Sequence, residues 1–146
     1  MSDEVLKTRI RKIGGGSSAG KCVLYVMSRD QRVQDNHALI AAQKHACAKK
    51  IPLAVVFCLM PRSGFRTREH YQFMLDGLKG IEASLGRLHI PFMLLVGDPQ
   101  ERVSGLLHHV QPDAVYFDFN PLRGPLQLHK VVATNAQCPV YEVDTH

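Results

Sequence analysis

The stretch Gly14–Cys22, GGGSSAGKC, nearly spells a phosphate-binding loop. From Gly15 it reads G-x-x-x-x-G-K, with Cys22 where a Ser or Thr hydroxyl would hold magnesium. Such a loop works between a strand and a helix, where its amides and the helix N-terminus converge on phosphate. Here the glycines lead into an apolar run, CVLYVM, and no strand-like segment precedes them. The stretch reads as a linker.

Two other polar clusters have more chemical content. In MSRDQRVQDNHAL (27–39), Arg29, Asp30, Arg32, Asp35 and Asn36 lie between an apolar run and a helical pattern. Their local role would be to cap and brace: Asp35 as the N-cap, with Arg29 or Arg32 paired to Asp30 or Asp35. In FDFNPLRGP (117–125), Asp118 sits inside an apolar run, and Asn120-Pro121 makes a sharp exit towards Arg123. A buried aspartate needs partners, and an Arg or amide from the first cluster is the natural candidate. The eight histidines are scattered, and the adjacent His108 and His109 point in different directions on a helix. No metal site is expected. Cys22, Cys47, Cys58 and Cys138 form no C-x-x-C pair and read as reduced thiols. No nucleophile elbow, Ser/His/Asp set or carboxylate pair appears, so no catalytic residue is expected.

What must position these clusters is an alternation of short apolar runs and helical patterns. Runs at 22–27, 53–60, 91–96, 114–119 and 139–143 are rich in β-branched and aromatic residues. The first three are apolar almost throughout, as strands covered on both faces are. Between them, one helix has Ala38, Ala41, Ala42, His45 and Ala46 on one side. A longer one carries Tyr71, Met74, Leu75, Leu78, Ile81, Leu85 and Leu88 at helical spacing. A third opens on Asp98-Pro99 with Val103, Leu106, Leu107 and Val110 as its face, and a fourth follows Pro125 with Leu128, Val131 and Val132. This order predicts an α/β, Rossmann-like, doubly wound five-stranded parallel sheet with helices on both faces. Ligands of such sheets sit at the carboxyl ends of the strands, where strand order reverses. That places Ser28, Arg29 and Asp30, Asp35 and Asn36, and Asn120 and Arg123 at the expected site.

Length, 146 residues, suits one domain. Residues 1–20 read as a flexible basic lead and Gly-rich linker, in which Val5, Leu6, Ile10 and Ile13 would support a short helix. Residues 21–146 form the α/β domain. The net charge is +5, with Lys7, Arg9, Arg11, Lys12 and Lys21 crowded at the start. A basic lead of this kind is a solvated tail or a weak nucleic-acid contact. No apolar run reaches membrane-span length, and the early acids Asp3 and Glu4 disfavour a signal peptide. A soluble cytoplasmic or nuclear protein is expected.

LYVMSRDQRVQDNHAL, PLAVVFCLMPR, DFNPLRGP and CPVYEVDTH occur in this order, and together they resemble the N-terminal domain of class II cyclobutane pyrimidine dimer photolyases. The resemblance to this branch of the photolyase/cryptochrome superfamily runs from about residue 21 to the end. It implies a domain that houses an antenna chromophore, a deazaflavin or a folate. That domain docks against a helical domain, which holds FAD, contacts damaged DNA and performs light-driven electron transfer. It also implies that this stretch is inactive alone, meets DNA only indirectly, and exposes a docking surface open to self-association. The family's tryptophans are replaced by Val26 and His37 and are missing near Leu128; the chain has no Trp. Two other classes of function remain open at the level of sequence. One is a free-standing Rossmann-like nucleotide-binding module, disfavoured by the absence of a glycine-rich turn after the first strand. The other is a nucleic-acid accessory domain using the basic lead.

Overall fold

The computed structural model describes residues 7–17, 19–27, 36–59 and 68–144. Six strands form one sheet: β1 (Ile10–Gly15), β2 (Val23–Met27), β3 (Leu53–Leu59), β4 (Phe92–Val96), β5 (Ala114–Asp118) and β6 (Pro139–Val143). Their order is β1-β6-β5-β2-β3-β4. Every pairing among β2 to β6 is parallel, and β1 joins β6 antiparallel. Four helices are described: α1 (His37–Lys49), α2 (Arg68–Arg87), α3 (Pro99–Val110) and α4 (Arg123–Asn135). The expected parallel five-stranded core is therefore present, with a sixth strand added at its edge.

That sixth strand corrects the reading of the lead. Residues 7–9 are helical, but the chain extends from Ile10 to Gly15 and pairs with β6. Isoleucines three apart suit one face of a helix, and the same spacing is accommodated here by a strand with a bulge between Lys12 and Gly14. A strand thus runs into GGGSSAGKC and takes in Gly14 and Gly15. The stretch still leads into β2 rather than into a helix, so it lacks the geometry of a phosphate loop. Gly15 has φ +84°, and a Cβ there would overlap the carbonyl oxygen of Cys138. A Cβ on Gly20 would likewise overlap the backbone at Gln111 and Pro112. These two glycines allow backbone to lie against backbone.

Strand alternation divides the core into two layers. Val23, Tyr25 and Met27 of β2 point into one layer, with Val55, Phe57 and Tyr116 and with Leu78, Ile81 and Leu85 of α2. Ala38, Ala41, Ala42 and Ala46 bring α1 down on the same layer. Val26, Val115, Phe117 and Val140 point into the other, against Val103 of α3 and Leu128 and Val132 of α4. Strand order reverses beside β2: the chain moves outward through β3 and β4, then returns to place β5 on the other side of β2. The carboxyl ends of β2 and β5 flank that switch point.

Candidate functional site

At the carboxyl edge, Ser28, Arg29, Asp30, Arg32 and Asp35 lie outside the described residues, so the site is built here from Asn36, Asn120 and Arg123. Asn36 is fully buried. Its Oδ1 accepts from the amide of Leu39 at 3.0 Å, and its Nδ2 donates to the hydroxyl of Tyr25 at 3.0 Å. The N-cap of α1 is therefore Asn36, not Asp35 as the sequence suggests. A buried cap that must both accept from an amide and donate to a phenol suits a neutral carboxamide. The same cap ties α1 to β2.

On the neighbouring strand, Asp118 closes β5 and is buried. Of its expected partners in the first cluster, Arg29 and Arg32 fall outside the described residues. Asn120 is buried, and its Oδ1 accepts from the amide of Leu122 at 3.1 Å, closing an Asx turn. Leu122 then stands at the N-cap of α4 without a side-chain cap bond, and Arg123 opens the helix, exposed. The structure thus places Asn36, Asn120 and Arg123 in the segments that follow the adjacent strands β2 and β5. The two asparagines are held by backbone and Tyr25, and Arg123 is the exposed cation of these three.

Two histidine clusters escape sequence reasoning. At the amino edge, His45 of α1 lies 2.7 Å from Asp113 through Nε2 and 2.9 Å from the Tyr116 hydroxyl through Nδ1. Lys49 Nζ reaches the same carboxylate at 2.9 Å, and the Gly20 amide donates to it at 3.1 Å. Burial alone would raise the Asp113 pKa. Hydrogen bonds from Lys49, His45 and Gly20, with the Lys49 charge, outweigh burial and hold it at about 2. Tyr116 stacks on Tyr141 at 4.9 Å. Burial, then Tyr141 and Asp113, push its phenol well above the usual range. The carboxylate is saturated and the hydroxyl engaged, so this cluster braces α1, β5 and the turn before β2.

The second cluster joins α4 to the outer strands. His129 Nδ1 lies 2.7 Å from Glu142 Oε2, and Arg11 Nη2 lies 2.6 Å from Oε1 of the same carboxylate. The imidazole stacks on Phe117 with centroids 4.1 Å apart. Its Nε2 is buried without a hydrogen-bond partner among the described residues. The sequence did carry a signal for this pair: Glu142 interrupts the apolar run PVYEV, and His129 falls beside Leu128 on the apolar face of its helix. Among the described residues, no group of three or more His, Cys, Asp or Glu is arranged to hold a metal ion, and no helix is long and apolar enough to cross a membrane.

Comparison with known proteins decides the family. The model of the DNA photolyase family matches residues 23–146, which takes in β2 to β6 and all four helices. The chain belongs to the DNA photolyase family. Among its photolyase relatives, the deoxyribodipyrimidine photo-lyase of Potorous tridactylus is 39% identical over 145 residues, covering 96% of this chain and 27% of that protein. The deoxyribodipyrimidine photo-lyase of Oryza sativa subsp. japonica is 35% identical over 147 residues, covering 95% of this chain and 29% of that one. The fold matches a class III photolyase from Agrobacterium tumefaciens with a TM-score of 0.70 at 18% identity, over 90% of this chain and 27% of that one. This chain thus spans under a third of the length of these photolyases, and it corresponds to their N-terminal α/β domain.

Proposed function

We propose that this chain is the antenna-chromophore-binding and docking domain of a class II cyclobutane pyrimidine dimer photolyase. The observation that carries the reading is the 39% identity to a photolyase over 96% of the chain. It is supported by a carboxyl edge built as a ligand site would be. Asn36 caps α1 and ties it to β2, Asn120 closes the turn after β5, and Arg123 stands exposed at the start of α4, past the carboxyl end of β5. In this reading Ser28, Arg29, Asp30 and Asp35 complete the site from the loop after β2.

The donor set suits a planar chromophore with an anionic tail, a deazaflavin or a folate. Arg123 would meet the anionic group, and the loop after β2 would supply polar contacts to the ring. When bound, the chromophore supplies absorbed light energy. FAD, direct contact with damaged DNA and the repair chemistry belong, in this reading, to a helical domain in the remaining length of such a photolyase. Docking to that domain is supported by Leu122 and Leu126, both exposed beside Arg123.

The test is the absorbance of protein purified from a host that makes deazaflavins and folates. A near-ultraviolet or visible band that co-purifies is the expected result, and Arg123→Glu should lower its ratio to protein absorbance several-fold. A colourless protein whose melting temperature rises with ATP, but not with deazaflavin or folate, would replace this reading with nucleotide binding.

A further inference from the structure

We propose that the pocket between the C-terminal ends of α3 and α4 binds a small uncharged heteroaromatic ring bearing an N–H donor. The pocket lies at the amino edge of the sheet, since Pro112 and Cys138 in its lining precede β5 and β6. It is therefore separate from the carboxyl edge, on which the chromophore reading rests. Its volume is about 270 Å³. An apolar cavity of about 150 Å³ is enough for benzene, so a fused two-ring heterocycle is of the size that fits. Leu107, Val132 and Ala136 give such a ring apolar surface to lie on. Ser104, Gln111 and Gln137 add a hydroxyl and two carboxamides, and these side chains make no hydrogen bond among the described residues.

The charge of the lining decides the rest. Among the described residues it contains no Asp, Glu, Lys or Arg. Burial, as the largest influence, pushes the Cys138 thiol up, so that side chain stays uncharged. His108, in the last turn of α3, stands exposed in the lining. The last turns of both helices reach the pocket, α3 through Leu107 and α4 through Val132. A helix C-terminus carries about half a negative charge on its unpaired carbonyls. No basic residue in the last turn of α4 offsets that charge. The pocket thus favours a donor over an acceptor, and two negative helix ends oppose an anion. A full cation would lose its water with no carboxylate to meet it. An N–H on a neutral ring satisfies both conditions.

The experiment is calorimetric titration of the chain at pH 7.5 with three probes of nearly one shape. Indole carries the N–H, benzofuran has oxygen in its place, and indole-3-carboxylate adds a negative charge. Indole should bind with a Kd below about 1 mM. Benzofuran should bind at least about fivefold more weakly, for the loss of one neutral hydrogen bond, and the carboxylate should give no heat. Ser104→Leu and Ala136→Leu fill the pocket from α3 and from the end of α4, and each should weaken indole at least about tenfold. Should either variant fail to fold, the amide chemical shifts of the unaltered chain serve instead. Those of Leu107, Val132 and Ala136 should move with indole. Benzofuran binding as tightly as indole overturns the proposal, as does heat from the carboxylate or full affinity in a folded variant. Shifts confined to the carboxyl edge around Asn36 and Asn120, or no heat from indole up to about 5 mM, overturn it equally.

Discussion

Asn36 uses its whole carboxamide inside the protein, and no other side chain of similar size does both jobs. Asn36→Ala removes the cap and leaves the Tyr25 hydroxyl without this donor, so it should cost about 2 kcal/mol. Urea denaturation monitored by circular dichroism measures that loss directly. Asp113 makes the second prediction at this scale. Its folded pKa, about 2, lies below the ordinary value of 3.8, so its contribution to stability is present above about pH 4. As the pH falls from about 4 to 2 the carboxylate protonates, and about 2 kcal/mol is lost. Asp113→Asn lacks this titration. Its unfolding free energy should run below that of the unaltered chain at pH 6 and close the gap by pH 2.

Elements differ in how plainly the sequence announced them. The strands β2, β3 and β5 were legible because burial on both faces leaves an almost unbroken apolar run, and α3 because Asp98 and Pro99 mark its start. The strand β1 was not, because IRKIGG has only a long-range reason to be extended: its partner is β6, at the other end of the chain. The same holds for the clusters. Asp113 lies 68 positions from His45, and no local pattern relates them. The carboxyl edge was legible only as a place, since the strand ends were visible but the bonds of Asn36 and Asn120 were not. Gly15 tests the β1 assignment. Gly15→Ala forces a Cβ into the Cys138 carbonyl at a positive φ, so it should destabilise by about 2–3 kcal/mol. Hydrogen exchange should then speed up first at the amides that pair β1 with β6.

For the molecule as a whole, the sheet ends differently on its two sides. The β1 side has a bulge and the charges of Arg11 and Lys12, features that discourage further pairing. On the other side β4, FMLLV, has no charge, and Leu94 and Val96 are exposed. Purified as it stands, the chain should sediment as a concentration-dependent mixture of monomer and larger species. Leu94→Lys should shift it to monomer with little change in melting temperature. The β1–β6 pairing also joins residues 9 and 144, since the amide of Asp144 donates to the carbonyl of Arg9 at 2.9 Å. That same pairing sets a timetable for synthesis. Arg11 leaves the ribosome 131 positions before Glu142, its ion-pair partner, so at ordinary elongation rates β1 waits on the order of ten seconds for β6 to exist. During that interval the core strands β2 to β5 can assemble, while β1 must remain soluble on its own charges until β6 arrives.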